Sequence, residues 1–191
     1  NPLPCERTGI FDIALPFPKD FAPKYVDGLT SGEAVNRFRL VNKEGERIPY
    51  QLTAIEHDTL LKQLKANGRR HNFGGDVYHV AVEMTLPACG FTAIRVEPME
   101  ESNRTFGSLL TGPLTAATKS IRLSIHPDGT ASLTNQATGT TFGPLFLYED
   151  TGDIGDGWTR GPLTNDIAYK SPGTRVTAAL EEDGPLRTVF R

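Results

Sequence analysis

Cysteine is scarce: Cys5 and Cys89 are the only two in 191 residues. Two thiols cannot build a disulfide framework, and a four-cysteine zinc site is excluded. A single bridge between them stays open; the reading adopted is two small, buried or half-buried thiols in a reducing compartment. Long apolar runs are lacking too, with none near the roughly 20 residues that a membrane helix needs. Nor is there an excess of basic charge. Lys and Arg number 20 against 23 Asp and Glu, a formal net charge of -3, so no basic surface is at hand to neutralise a phosphate backbone. Nucleic acid and membrane are therefore not expected as partners. No secretion or transit segment is visible.

The common catalytic signatures are missing as well. A serine hydrolase elbow, Gly-x-Ser-x-Gly, does not occur. Cys5 sits between Pro4 and Glu6, and Cys89 lies in a turn, so neither is poised as a nucleophile. There is no phosphate loop and no Gly-x-Gly-x-x-Gly opening a helix. The histidines are His57, His71, His79 and His126. His71 and His79 are too far apart on a strand to share a metal, and His79 reads as a hydrogen-bonded structural residue. His126-Pro-Asp128 has the His-x-Asp spacing of some metal sites, but it falls at a hairpin tip, where Asp and Gly serve the turn. Asn103-Arg-Thr105 fits the N-glycosylation pattern, a triplet that chance often produces.

What is present is punctuation. Nineteen Gly and 14 Pro break the chain about every ten residues, with short apolar runs between, the rhythm of an all-β sandwich. Residues 9–15 read as a first strand stopped by Pro16 and Pro18, which lack the ladder N–H. Residues 37–41 and 47–53 form a hairpin across Asn42-Lys-Glu-Gly45. Residues 76–86 alternate best, with Tyr78, Val80, Val82, Met84 and Leu86 on one face. Pro87-Ala-Cys-Gly90 turns this strand into another at 91–96. Residues 97–118 are polar and read as a connecting loop. Residues 121–125 and 130–134 pair across His126-Pro-Asp-Gly129. Runs at 140–148, 176–180 and 186–190 complete the set. One helix is expected, over 53–67, from Leu60, Leu61 and Leu64 with a Gly68 cap; the alternative is a loop that includes 68–75. The chain opens without Met and closes inside an alternating run, which suggests a piece of a longer polypeptide.

The most informative stretch is Tyr148-Glu-Asp-Thr-Gly-Asp-Ile-Gly-Asp-Gly-Trp-Thr-Arg160. It sets Glu149, Asp150, Asp153 and Asp156 ahead of the sole Trp, Trp158. Three readings stay open. Asp side chains can cap their own backbone in a solvated turn. Carboxylates and an indole can bind sugar hydroxyls and a ring face. A calcium site is the third, although the Asp-x-Asp-x-Asp-Gly spacing is not met.

At these residues the chain resembles a known family. The loop Glu149-Asp150-x-Gly-Asp153-x-Gly-Asp156-x-Trp158, with Pro162 and Asp166, is similar to an Asp-rich signature of bacterial-type α-mannosidases of glycoside hydrolase family 38. Asp128-Gly-Thr-x-x-Leu-Thr134 with Ala137-Thr-Gly139 resembles a hairpin of the same region. Asn1-Pro-Leu-Pro-x-Glu-Arg-Thr-Gly9 resembles the segment that opens the family's first β-sandwich, Pro87-x-x-Gly-Phe-Thr-x-x-Arg95-Val its closing strand, and Gly184-Pro-Leu-Arg187 the start of the next strand series. The matching region is the β-domain part C-terminal to the catalytic and helical domains.

The resemblance implies an all-β chain: a β-sandwich over 1–100, a linker over 101–119, and from 120 to 191 the start of a second antiparallel β-domain of the galactose-mutarotase-like, supersandwich type. It implies a parent enzyme that is a zinc-dependent glycosidase hydrolysing α-mannosides. The zinc and the nucleophile belong to a catalytic domain outside these residues, so the fragment itself carries no catalytic residue, metal ligand or cofactor and is expected to be inactive alone. Its partners would be the catalytic and helical domains of the same chain and a mannoside; self-association of copies is left open. Trp158, standing where the family has Tyr, would bind the sugar, with Asp153 and Asp156 orienting the loop or binding hydroxyls. Two rivals stand beside this: a carbohydrate-binding module using Trp158 with Tyr148 or Tyr169, and an interaction domain without catalysis. The expected compartment is the cytoplasm.

Overall fold

The computed structural model describes residues 1–18, 37–64, 67–99, 103–173 and 175–191. Among them there is no helix, so none is long and apolar enough to cross a membrane. The strands fall into two compact units. The first comprises Asn1–Ser108 and Gly184–Arg187, the second Leu109–Asp183 and Thr188–Arg191.

In the first unit, β1 (Arg7–Pro18) and β4 (Tyr50–Leu64) flank β5 (Arg70–Leu86), both antiparallel to it. A second sheet has β2 (Phe38–Val41) between β3 (Arg47–Ile48) and β6 (Arg95–Pro98). One apolar core joins the two sheets: Leu15, Phe17, Phe38, Leu40, Tyr50, Val80 and Val82 are buried together. The alternation expected over 76–86 decides which face of β5 this is, because Val80 and Val82 are fully buried while Glu83 and Thr85 face solvent. Phe38 stacks on Tyr50 at 4.9 Å between ring centroids and meets Tyr78 edge-on at 5.6 Å.

Pro16 and Pro18 do not stop β1, which runs on opposite Val77 and Gly75. β1 pairs on one side only, and an edge strand tolerates residues without an N–H. The expected hairpin at 37–53 splits instead. Leu40 pairs with Ile48 across the Asn42–Glu46 turn, after which the chain crosses to β5 as β4. The strand expected at 91–96 shortens to β6, and its partner is β2 rather than the β5 that precedes the turn.

Of the helix expected at 53–67, residues 53–64 belong to strand β4, while residues 65 and 66 lie outside the described residues. Leu61 is buried while its neighbour Leu60 is exposed, the in-and-out pattern of a strand, and β4 stays paired with β5 out to Leu64 opposite Arg70. The loop alternative fails with it, since 70–75 lie within β5. Long-range pairing outweighs a local preference of a few tenths of a kcal/mol per residue. A bulge between Glu56 and Thr59 disguised the alternation. Asp58 has φ 54° there, and the buried Asp76 carboxylate accepts its N–H at 3.1 Å.

In the second unit β7 (Leu110–Gly112), β8 (Thr115–Ala117), β9 (Ile121–Ile125), β10 (Ala131–Asn135) and β11 (Thr141–Leu145) form an antiparallel meander. Part of the stretch read as a loop, 97–118, is thus paired strand. The hairpin expected across 126–129 is there. Asp128 accepts from the Thr130 N–H at 3.0 Å and hydroxyl at 2.7 Å, and Gly129 takes φ 80°. Two short ribbons follow: β12 (Glu149–Asp150) with β13 (Tyr169–Lys170), and β14 (Leu180–Glu182) with β15 (Val189–Phe190).

Candidate functional site

The Asp-rich stretch folds into a narrow hairpin held by its own carboxylates. Asp153 bridges to Pro162, the Ile154 N–H donates to Gly161 O at 2.8 Å, and the Asp156 N–H to Thr159 O at 3.1 Å. Trp158 therefore stands at the tip and is 96% exposed. Asp153 Oδ1 accepts the N–H groups of Gly155 and Gly161, each at 2.8 Å. Asp156 Oδ1 accepts those of Trp158 at 2.9 Å and Thr159 at 2.8 Å. Asp166 clamps the base, both its oxygens lying 3.0 Å from the Gly152 nitrogen, and Arg160 donates to the Thr151 hydroxyl at 2.6 Å. Gly155 is obligatory: a Cβ there would overlap the Thr159 carbonyl oxygen.

These bonds set the electrostatics. The Gly161 and Gly155 N–H groups stabilise ionised Asp153, and those of Trp158 and Thr159 stabilise ionised Asp156, so both carboxyls are held below the usual aspartate range. With folded pKa values below unfolded ones, their contribution to loop order is complete above the unfolded value and is lost as pH falls through the folded one. In a carboxyl-carbon NMR titration both groups are expected to protonate below about 3.9. The Gly155, Gly161, Trp158 and Thr159 amide shifts should hold to that point and then collapse together. Titration of either group at the ordinary value would contradict the capping geometry.

The sequence singled out Trp158, Asp153 and Asp156, and all three meet in this hairpin, the carboxylates aimed at backbone. Tyr148 and Tyr169 gather elsewhere. Asp150 pairs with Tyr169, and the Ser171 N–H donates to Tyr148 O at 2.9 Å, which puts both tyrosines on one face of the β12–β13 ribbon. They border an open cavity of about 280 Å³ with Asp150 and Ser171, a cavity that Trp158 does not line. The expected platform of Trp158 with these tyrosines is thus not assembled there.

Among the described residues, no three His, Cys, Asp or Glu side chains gather where they could hold a metal ion. His79 makes a 2.9 Å hydrogen bond with Glu56, as a structural histidine should. His57 Nδ1 lies 3.5 Å from Asp76, His71 stacks on Phe73, and His126 bonds the Ser132 hydroxyl at 3.1 Å. The zinc implied by the resemblance has no donor set among these residues. Asn103 is buried, its amide nitrogen donating to Phe38 O at 2.9 Å and its oxygen accepting from Arg47, so the folded chain presents no glycosylation acceptor there. Both cysteines, expected to be buried or half-buried, are exposed, because each lies beyond the end of the β1–β5 ladder.

The fold and this carboxylate-capped hairpin place the chain among all-β proteins built of several antiparallel sheets. The same fold occurs within an α-mannosidase from Enterococcus faecalis V583, which matches 98% of this chain with a TM-score of 0.75 at 18% identity. It occurs also in a protein of glycosyl hydrolase family 38 from Enterococcus faecalis, matching 98% with a TM-score of 0.67 at 16% identity. The chain spans only 22% and 23% of the length of those two proteins. No family model matches it, and no curated protein matches it in sequence.

Proposed function

We propose that this chain is the non-catalytic β-region of a family 38 α-mannosidase, bracing the catalytic and helical domains of the same polypeptide and lending the sugar site the hairpin 149–160. The observation that carries this reading is the fold match along nearly the whole chain to one stretch of an α-mannosidase. Exposed apolar side chains in the second unit, among them Phe146, Leu147, Ile154 and Ile167, support a role as a surface that other domains cover. In this reading zinc and the nucleophile reside in the catalytic domain and nothing here performs a chemical step.

Trp158 would stack on a sugar face, while Asp153 and Asp156 act as positioning residues through the backbone they cap. The test uses the polypeptide encoded by the whole gene. It should hydrolyse an aryl α-mannoside, and the 191-residue chain alone should not; turnover by the isolated chain, or none by the whole protein, ends the proposal. In the whole enzyme Trp158→Ala should raise KM about tenfold, the effect of losing one stacking contact of about 1.4 kcal/mol. Asp156→Asn, which keeps an acceptor oxygen, should lose much less than Asp156→Ala.

A binding-module reading draws on the exposed Tyr148 and Tyr169 sharing one ribbon face. It requires the isolated chain to bind mannose at millimolar levels, with saturable chemical-shift changes at those tyrosines.

A further inference from the structure

Asn67-Gly68 lies in the connection between β4 and β5, and it is the only place in the chain where glycine follows asparagine. Asn67, Gly68, Arg69 and Arg70 are all exposed. Gly68 takes φ 75°, and a Cβ added there would meet nothing within 4 Å, so this peptide is open to water and unhindered by a side chain. Asn67 Oδ1 accepts the Arg69 N–H at 3.1 Å, which bends the Asn67 side chain forward across the Gly68 peptide unit. Charge on this stretch has one sign. Residues 59–75 include Lys62, Lys65, Arg69 and Arg70 and no aspartate or glutamate. Such surroundings favour negative charge, both on the Gly68 nitrogen and on an Asn67 oxygen that already faces an N–H donor.

Among the described residues, the other asparagines lack this combination. Asn1 precedes Pro2, which has no N–H. Asn42 and Asn135 share the forward bend, their Oδ1 atoms accepting the N–H groups of Glu44 at 3.1 Å and Ala137 at 2.9 Å. They precede Lys43 and Gln136, whose side chains crowd the nitrogen. Asn72 lies within β5, and Asn103 is buried. Asn165 is exposed but precedes Asp166, whose carboxylate opposes an anion on its own nitrogen.

We propose that Asn67 is a self-modifying site, converted in the folded chain to aspartate and isoaspartate with water as the co-reactant. The Gly68 nitrogen gives its proton to hydroxide and attacks Asn67 Cγ. A C–N bond forms, the side-chain nitrogen takes up a proton from water and leaves as ammonia, and a succinimide ring closes. Water then adds to one of the two ring carbonyls. Breaking the new bond leaves aspartate in an ordinary backbone; breaking the original peptide bond leaves isoaspartate, with the chain routed through the former side chain. The sum is amide plus water giving acid plus ammonia, with no change of oxidation state. Either product adds one negative charge to a formal net charge of -3, in a stretch that has only positive ones. Isoaspartate also lengthens the backbone by one carbon where the chain passes from β4 to β5.

The experiment incubates the full chain in mildly alkaline heavy-oxygen water and then separates and weighs its proteolytic peptides. The Asn67 peptide should exchange its amide for an acid that carries one heavy oxygen, and should split into aspartate and isoaspartate forms. The reaction should quicken as hydroxide rises, with Asn165 lagging behind. The folded chain should react at least as fast as the chain unfolded in urea, because the fold supplies the bent side chain. Asn67→Gln, which would need a larger ring, should keep its amide. Arg69→Gln combined with Arg70→Gln should slow the reaction about fivefold by removing two nearby positive charges. An amide retained at Asn67, aspartate as the sole product, a faster reaction in urea, or an unaltered rate in the arginine double variant would each overturn the proposal.

Discussion

Replacing Phe38 by alanine is expected to cost about 3–5 kcal/mol, the usual penalty for emptying a buried aromatic position. Phe38 is 1% exposed and touches three rings: Tyr50 in a parallel stack, Tyr78 edge-on and Phe17 at 4.9 Å. Its carbonyl accepts from the Tyr50 hydroxyl and the Asn103 amide, both at 2.9 Å, so collapse around a truncated side chain would also disturb two buried polar groups. Urea unfolding followed by far-UV circular dichroism measures the loss. Leu60→Ala, on the exposed face of β4, should stay within about 0.5 kcal/mol, while Leu61→Ala should cost about 2 kcal/mol or more. Equal losses at the two leucines would restore a helix over 53–67 and refute the strand register.

The second large effect lies where residues 184–187, which connect β14 to β15, join the first unit. The buried Gln51 binds this segment as a neighbouring strand would. Its Oε1 accepts from Leu186 N–H at 3.0 Å and Arg187 N–H at 2.9 Å, and its Nε2 donates to Arg187 O at 2.9 Å. Gln51→Ala leaves three backbone groups without these partners and is expected to cost about 2–3 kcal/mol. Gly184 lies against the same amide, and a Cβ there would overlap its carbon, so Gly184→Ala should cost about 1–3 kcal/mol. The two changes must couple. Once Gln51 is alanine the added methyl has room, and the double variant should fall short of the sum by about 1–2 kcal/mol. Strict additivity would mean that Gln51 does not hold the segment. The Arg187–Asp12 pair at 2.6 Å is solvent-exposed and contributes little beside it.

Much of the candidate site was legible because its determinants are local. Each of Asp153 and Asp156 caps N–H groups two residues ahead, so type and spacing announced a carboxylate-organised turn and put Trp158 within it. The reach of Asp153 to Gly161 and of Asp166 back to Gly152 was not derivable from spacing, since it depends on the loop closing as a hairpin. Gln51 gave no signal at all. A single glutamine in an alternating stretch looks like the polar face of a strand, and only a segment 135 residues downstream gives its amide a purpose.

By itself the sequence determined the class and much of the punctuation. Alternation in 76–86 defined the buried face of the central strand, Asp128 and Gly129 defined a hairpin, and the spacing of glycine and proline excluded a helical protein. Those features depend on contacts between residues close in the chain, where side-chain period and turn chemistry act directly. The tertiary structure alone decided that residues 53–64 are strand, that β1 survives two prolines by lying at an edge, that residues 38–41 pair with 95–98, and that 184–187 return to the first unit. Each of these is a pairing across long sequence separation. Its free energy comes from a core and a ladder that exist only once both partners are in place, so no window of the sequence contains it.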